Sequence, residues 1–291
     1  MTNPNRLIAQ SPNRLSIVFF GNTKYSVIVA KTLFEHFGLA AVVTIPDSPV
    51  KQFALQNNIP VVESRTLANE TIKKIAALRP DFLIVADYGL FLPNTLLALP
   101  KYAPLNVHHS LLPKYRGPSP APTAILNGEK VSGVSIIRMS EQVDAGDIIA
   151  QKKYILKPDE TTDSLLTKLN TLGGEIIIPV IEDYIVGKAK SVPQDESKTT
   201  YTTRLTKEDG FIDLANPPSP EMFDRMIRAY YPWPGVWTKI AISNKQKEIS
   251  KIIKFLPNQK IQVEGKKPMS YKDFVNGYEE GKEIIAKLFA R

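Results

Sequence analysis

Three polar side chains between Leu105 and Asp147 have the types and the spacing of a proton-handling site. Asn106 and His108 are two residues apart in a β-type run, so their side chains point to the same face of the strand. Asp144 lies in a loop after the next β-type run. An amide and an imidazole can both donate to one carbonyl oxygen, and such donors contribute roughly 3 to 4 kcal/mol each in acyl transfer. A carboxylate in reach of the imidazole would orient the ring, raise its pKa and help move a proton.

Each of these residues also has an ordinary structural explanation. An Asn at a strand end and a hydrogen-bonded His are common in proteins, and spacing alone leaves both explanations open. His109 points to the opposite face from His108, and we interpret it as a structural or rim-lining residue. The chain has three histidines and no cysteine, so we expect no metal site.

Alternating apolar and helical segments precede this site. Buried β-type runs that alternate with helical segments predict a doubly wound parallel sheet, whose ligands bind at the carboxyl ends of the strands. The first strand-to-helix turn, Gly21-Asn22-Thr23, lacks the glycine pattern of a dinucleotide site, and we expect Thr23 to cap the helix. The predicted strands are 15–21, 39–45, 61–62, 81–88 and 104–107, and the predicted helices are 24–37, 48–57 and 69–79.

The remainder of the chain changes character after residue 187. A strand at 148–156 and a helical region at 164–187 come first, and Gly173-Gly174 indicate either two helices or one kinked helix. The polar segment 188–200 is typical of a linker. Short strands with turn signals then favour a small antiparallel barrel or sandwich. The predicted strands there are 210–214, 237–242, 248–256 and 260–264, and the predicted helices are 220–231 and 271–278.

The net charge of +8 is concentrated toward the end of the chain. Between Lys239 and Lys267 there are eight lysines and two acids, Glu248 and Glu264. Such a patch indicates either a polyanion partner, with nucleic acid first, or a solvated lysine-rich surface. No apolar run of membrane-spanning length stands out, so we expect no membrane association. We interpret residues 1–14 as a disordered tail, with an organelle import peptide as the alternative.

The longest motifs resemble the folate-dependent formyltransferase family. The run NVHHSLLPKYRGPSP followed by VDAGDII is similar to that family's signature, an Asn-x-His-x-Ser-Leu-Leu-Pro run and an Asp-x-Gly-Asp loop. The segments FFGNTKYSVIVAKTL, VADYGLFLP, NGEKVSGVSII, YTTRLTKEDGFID and RAYYPWPGVWT resemble the branch that acts on methionyl-tRNA. The resemblance covers nearly all of residues 15–280. It implies a Rossmann-like catalytic domain at 15–187, a linker at 188–200 and an OB-like β-barrel that binds tRNA at 201–291.

The resemblance also implies an activity and a role for each matched residue. The activity is transfer of the formyl group of 10-formyltetrahydrofolate, as co-substrate, to the α-amine of initiator methionyl-tRNA. Asn106 and His108 would hold the oxyanion, and Asp144 would pair with His108 and help to move protons. A cytoplasmic monomer of bacterial type, without a metal, is the expected form; an amino-sugar nucleotide as acceptor and an RNA-binding protein with an idle pocket are the alternatives. The implied folate-binding residues are Ser110, Leu111, Leu112 and Pro113, with the backbone of Tyr88, Gly89 and Leu90.

Three features depart from the family's pattern. Larger bacterial members have a basic, glycine-containing loop after the second strand, whereas here Pro46-Asp47 runs almost directly into Ser48-Pro49. Asp87 stands where the family has a small apolar residue. His109 replaces a small residue beside His108.

Overall fold

The computed structural model describes residues 15–244 and 247–289, with side chains for all of these except 242–244 and 247–249. The predicted tail at 1–14 and Lys245 therefore lie outside the described residues. The described chain forms two compact units. Unit 1 comprises residues 15–118, 132–154 and 166–201, and unit 2 comprises 119–131, 155–165 and 202–289. The division falls near the predicted start of the C-terminal domain, but unit 2 also takes two segments from the first half of the sequence.

Unit 1 is built on a seven-stranded sheet with the strand order β3-β2-β1-β4-β5-β6-β7. The first five of these strands are parallel, and the order reverses between β1 and β4. The strands are β1 (Ile17–Phe20), β2 (Ala41–Thr44), β3 (Val61–Glu63), β4 (Phe82–Val85), β5 (Ala103–His108), β6 (Val131–Arg138) and β7 (Ile148–Ile155). The helices are α1 (Ser26–His36), α2 (Pro49–Gln56), α3 (Asn69–Ala77), α4 (Asn94–Leu97) and α6 (Thr162–Ile185).

Two apolar cores cover the two faces of this sheet, which is why β1 and β4 have no polar residue. In β1, Ile17 and Phe19 pack into one core and Val18 and Phe20 into the other. Residues of α1, α2 and α6 complete the first core, and residues of α3 and α4 complete the second. Successive side chains of a strand point to opposite faces, so burial on both faces requires a continuous apolar run. The predicted Rossmann-like α/β class is confirmed.

The last strands of the sheet differ from the prediction of an all-parallel rim. β6 runs antiparallel to β5, with Leu105 opposite Arg138 and His108 opposite Ser135. The carboxyl end of β6 therefore lies beside the middle of β5 rather than at its carboxyl end. A loop from residue 139 to 147 turns back, and its ends are joined where the Arg138 N–H donates to the Asp147 carbonyl at 2.9 Å.

The region predicted as two helices or one kinked helix is the single helix α6. Its two glycines lie where neighbouring side chains approach closely. A Cβ atom on Gly173 would come within 2.5 Å of Val107, and one on Gly174 within 2.9 Å of Thr32. The glycines permit close packing at the ordinary cost of about 1 kcal/mol each in a helix. α6 has the length and hydropathy of a membrane span, but its Ile177 and Ile181 are fully buried in the first core.

Unit 2 contains a four-stranded antiparallel sheet with the order β11-β10-β9-β8, as expected of a small β domain. Residues 210–214, predicted as a strand, instead form a 3-10 turn and one bridge from Phe211 to Trp237, so that prediction is wrong. Helix α9 was not predicted. The strands are β8 (Val236–Asn244), β9 (Lys247–Leu256), β10 (Lys260–Val263) and β11 (Met269–Ser270), and the helices are α5 (Pro120–Leu126), α7 (Pro220–Ala229), α8 (Tyr271–Gly277) and α9 (Gly281–Phe289).

Candidate active site

The structure brings Asn106, His108 and Asp144 together at the end of β5. Asn106 Nδ2 donates to Asp144 Oδ1 at 3.2 Å, and His108 Nδ1 lies 3.5 Å from Asp144 Oδ2. The side chains of His108 and Asp144 are 5% and 11% exposed, whereas Asn106 is half-buried. Because its Nδ2 faces a carboxylate, the orientation of the Asn106 amide is defined.

Main-chain groups of residues 115–117 hold the same cluster from the other side. The Gly117 N–H donates to Asp144 Oδ2 at 2.8 Å, and His108 Nε2 lies 3.0 Å from the Tyr115 carbonyl oxygen. A carbonyl oxygen can only accept, so Nε2 carries a hydrogen. In the neutral ring, Nδ1 is then the nitrogen with a lone pair.

Burial is the largest influence on His108, and it lowers the pKa of the imidazole below its ordinary value. The Asp144 carboxylate and the Tyr115 carbonyl oppose this effect. The ring is therefore neutral near pH 7, with Nδ1 able to take up a proton. Once it is protonated, both ring nitrogens face an oxygen atom, which stabilises the charged form.

The loop that carries Asp144 has an unusual backbone. Asp144 has a φ of 53°, in the left-handed region that costs a non-glycine residue about 1 kcal/mol or more. Gly146 cannot be replaced without movement, because a Cβ atom there would lie 1.8 Å from the Arg138 carbonyl oxygen. Other parts of the molecule must hold this loop in place.

The predicted folate-binding run forms a tight turn pinned to β6 and β7. Ser135 Oγ donates to the Ser110 carbonyl at 2.6 Å and accepts from the Leu112 N–H at 3.1 Å. Ser110 and Leu112 are 1% and 3% exposed, so their side chains support the turn. The side chains of Leu111 and Pro113 are half-buried and are the ones with access to a ligand.

The predicted backbone edge at residues 88–90 follows β4, beside the point where the strand order reverses. Asn22 ties it to the neighbouring strand ends, because its Nδ2 donates to the Tyr88 carbonyl and its Oδ1 accepts from Thr44 Oγ1 and the Ile45 N–H, both at 3.0 Å. Gly89 is exposed and has a φ of 80°. Within the described chain, no main-chain hydrogen bond joins residues 88–92 to other main-chain groups. Apart from the Tyr88 carbonyl, its main-chain donors and acceptors are therefore available for other hydrogen bonds.

Two of the three departures from the family's pattern, Asp87 and His109, are in contact with each other. His109 Nδ1 lies 3.3 Å from Asp87 Oδ1, and the ring is buried. Asp87 Oδ2 also accepts from Thr23 Oγ1 at 3.3 Å and from Asn170 Nδ2 at 3.2 Å. The pair fastens the segment that leads into residues 88–90 to the end of β5. His109 is a buried residue rather than one that lines the rim.

We expect Asp87→Ala and His109→Ala each to lower the free energy of unfolding by about 1 to 3 kcal/mol, because the first leaves the buried His109 ring without its carboxylate and the second leaves Asp87 Oδ1 without its donor. The double variant should lose less than the sum by about 1 kcal/mol or more. Urea denaturation of the four proteins measures this coupling. His36→Ala, whose ring is exposed on α1, is the control and should change stability by less than about 0.5 kcal/mol. Additive single losses would contradict a coupled pair.

Sequence reasoning missed two residues that support this site. Arg116 is only 2% exposed, and its Nη1 and Nη2 donate to the Glu196 carboxylate at 3.1 and 2.7 Å. Gln194 Nε2 donates to the Asp144 and Gly146 carbonyls, both at 2.7 Å. The only signal for Arg116 is its place in the motif, and Gln194 had none because its segment has no apolar period.

No group of three or more His, Asp or Glu side chains in residues 15–244 and 247–289 is placed to hold a metal ion.

A Rossmann-like sheet with an Asn-His-Asp cluster at the end of β5 is the arrangement expected of a formyl-transferring enzyme. Two family models match the chain, "Formyl transferase" over residues 25–181 and "Formyl transferase, C-terminal domain" over residues 204–260. The chain belongs to the formyl transferase family.

Similar proteins of known name point to one branch of that family. The methionyl-tRNA formyltransferase of Lactobacillus gasseri is 32% identical over 93% of this chain and 99% of its own length. The methionyl-tRNA formyltransferase of a Roseiflexus species is 39% identical over 77% of this chain and 73% of its own length. Among solved structures, the N-formyltransferase of Helicobacter canadensis in complex with folinic acid and dTDP-3-aminofucose has a TM-score of 0.62, at 18% identity over 86% of this chain and 95% of its own. At that identity the structural likeness concerns the fold.

Proposed function

We propose that the protein transfers the formyl group of 10-formyltetrahydrofolate to the α-amine of methionine on initiator methionyl-tRNA, in a bacterial cytoplasm. The observation that carries this proposal is the cluster of Asn106, His108 and Asp144, within 3.5 Å contacts, in a chain that matches both formyl transferase domains. The names of the full-length relatives support methionyl-tRNA as the acceptor.

The reaction joins the amine nitrogen to the formyl carbon and breaks the bond from that carbon to folate N10. The amine loses one proton and N10 gains one. The side chains must therefore hold the negative charge that develops on the formyl oxygen and carry a proton from one nitrogen to the other.

The geometry supports one assignment of these tasks. Asn106 Nδ2 has two hydrogens; one is donated to Asp144, and the second is available to the developing oxyanion. Neutral His108 takes the amine proton at Nδ1 and, once protonated, donates from Nδ1 to the oxyanion or returns the proton to N10. Asp144 stabilises the imidazolium and fixes Asn106 and the Gly117 N–H around the cluster.

The folate donor would be held by groups that the turn and the edge leave available. The main chain at 88–90 can bind the edge of the pterin, and Leu111 and Pro113 offer half-buried apolar contacts. The complex of the Helicobacter canadensis protein with folinic acid supports a folate of this class as the donor.

One surface of unit 2 has the composition of a nucleic-acid site, and we name it the basic face: Lys207, Phe211, Trp237, Lys239 and Lys254. Trp237 and Lys239 are two residues apart on β8, so their side chains lie on the same face of the sheet. Lys254 of β9 is paired with Trp237. The Lys207 ammonium lies 5.1 Å from the Trp237 ring centroid, and the Phe211 and Trp237 rings are 5.0 Å apart. Cations interleaved with aromatic rings bind phosphates and stack on bases.

Neutralising the basic face should weaken tRNA binding and its dependence on salt. Lys239 and Lys254 are exposed and form no ion pair with any described residue. We expect Lys239→Gln and Lys254→Gln each to reduce the slope of log affinity against log salt by about one if each contacts a phosphate. Lys31→Gln, which changes a side chain on α1 that is 64% exposed, is the control. Titration of methionyl-tRNA at several salt concentrations gives the slope. An unchanged slope in both variants would show that the basic face does not bind tRNA phosphates.

The proposal is tested by a formyl-transfer assay with labelled 10-formyltetrahydrofolate and three competing acceptors. Initiator methionyl-tRNA, elongator methionyl-tRNA and an amino-sugar nucleotide are supplied together, and the labelled product is identified. The expected product is formylmethionyl-initiator tRNA. Labelling of the sugar nucleotide would establish the alternative acceptor. The absence of any transfer would favour the alternative that the protein binds RNA and its pocket is idle.

A further inference from the structure

The segment predicted as a linker makes a dense set of hydrogen bonds to the catalytic loop. We name residues 191–200 the strap. Ser191 Oγ donates to Asp147 Oδ2 at 2.9 Å, and Val192 and Ile148 exchange two main-chain hydrogen bonds of 2.9 Å. Farther along, Tyr115 N donates to Thr200 Oγ1 at 2.8 Å. The strap therefore touches both loops that surround the Asn106–His108–Asp144 cluster.

Gln194 makes the central contact of the strap. Its Nε2 donates one hydrogen to the Asp144 carbonyl and the other to the Gly146 carbonyl, each at 2.7 Å. Its Oε1 accepts from Arg116 Nε at 3.0 Å and from Nη2 at 2.8 Å. The guanidinium has only donors, so it fixes the oxygen end of the amide and thereby aims the nitrogen end at the loop.

Arg116 in turn anchors the second loop. Its main-chain N–H donates to the Thr200 carbonyl at 2.9 Å, and its side chain forms a bidentate pair with Glu196. Its sequence neighbours are Tyr115, whose carbonyl faces His108, and Gly117, whose N–H donates to Asp144. One guanidinium thus joins the strap to the groups that orient both the imidazole and the carboxylate.

Asp144 needs such support because its own backbone is strained. A residue in the left-handed region persists only where surrounding contacts fix it, and two short hydrogen bonds from one amide do so at residues 144 and 146. We propose that Gln194, oriented by Arg116, is a positioning residue that holds the Asp144 carboxylate in register with His108 and Asn106. This inference rests on the proposed formyl transfer, and it makes the strap part of the active site.

The decisive variant is Gln194→Glu. A carboxylate still pairs with Arg116, so the strap keeps its anchor, but its second oxygen faces the carbonyls of Asp144 and Gly146 and repels them. We expect kcat for formyl transfer to fall about ten- to a hundredfold, with the KM for 10-formyltetrahydrofolate changed less than about twofold. Gln194→Ala, which removes the donors without adding repulsion, should give a smaller fall in the same direction.

A second readout does not depend on activity. Amide exchange at Gly117, followed by NMR, should accelerate about tenfold or more in Gln194→Glu, because displacement of Asp144 removes the acceptor of that N–H. Lys188→Gln changes the charge by the same amount six residues away, on an exposed side chain outside the strap, and should alter neither readout.

The outcomes separate the two proposals. Wild-type protein without formyl transfer would overturn the proposed function, while faster Gly117 exchange would still support Gln194 as the residue that holds the loop. Wild-type activity together with unchanged kcat and unchanged Gly117 exchange in both variants would overturn the inference. Failure of both variants to fold would assign Gln194 to folding rather than positioning and would also overturn it.

Discussion

Replacement of Asp144 by Asn is expected to lower kcat for formyl transfer by about a thousandfold. The amide has nearly the shape of the carboxylate, but it has one acceptor oxygen where the protein uses two. Either the Gly117 N–H or Asn106 Nδ2 loses its partner, since both donate to Asp144. The imidazolium of His108 also loses the negative charge that lies 3.5 Å from Nδ1.

The pH profile gives this prediction a second measurement. Burial lowers the pKa of His108 and the Asp144 carboxylate opposes that effect, so removal of the charge lowers the pKa further. The proposed mechanism needs the neutral ring, so the acid limb of residual kcat should move to lower pH in Asp144→Asn. Glu141→Gln, an exposed carboxylate in the same loop, is the control for loss of one charge. Full activity in Asp144→Asn would show that catalysis does not require the Asp144 carboxylate.

Asn106→Ala is expected to reduce kcat about a hundred- to a thousandfold, the usual loss when one oxyanion donor is removed. In the proposed mechanism the second hydrogen of Nδ2 is donated to the formyl oxygen, and alanine provides no such donor. Because Asn106 is not among the residues to which we assign tRNA binding, the affinity for methionyl-tRNA should change less than about twofold. Single-turnover kinetics and a binding titration on the same preparation separate the two quantities.

A matched substitution tests whether amide loss as such matters. Gln52→Ala removes an exposed amide from α2 and should leave kcat within about twofold of the wild type. If Asn106→Ala behaved like Gln52→Ala, the oxyanion would have to be held by other donors. A rise in KM for both substrates at unchanged kcat would point to uniform binding rather than to the transition state.

Much of unit 1 could be predicted from the sequence because its strands are buried on both faces. The runs at 15–21 and 81–88 have no polar interruption at their centres, and Ser48-Pro49 marks the start of α2, where Ser48 Oγ accepts from the Lys51 N–H. Helix boundaries agreed within a few residues for α1, α2, α3 and α7.

Strand direction and side-chain partners were not accessible in the same way. A period of two is the same for parallel and antiparallel strands, so the reversed direction of β6 left no trace in its residues. Residues 210–214 have strand-like residues but pair through one bridge only, since tertiary contacts rather than propensity decide such short runs. The segment that contains the strap was predicted to be a linker because a polar side chain such as Gln194 can hydrogen-bond either to water or to main-chain carbonyls, and the sequence does not show which.

The discontinuous make-up of unit 2 has a consequence for synthesis on the ribosome. Helix α5 packs against α7 and buries Ala121, Ala124 and Ile125, yet about ninety residues separate the two helices along the chain. At about 5 to 20 residues per second, α5 emerges several seconds to nearly twenty seconds before its partner exists. During that interval the apolar side of α5 is not yet packed against α7. A nascent chain stalled before residue 220 should therefore be the form of this protein that ribosome-associated chaperones bind most strongly.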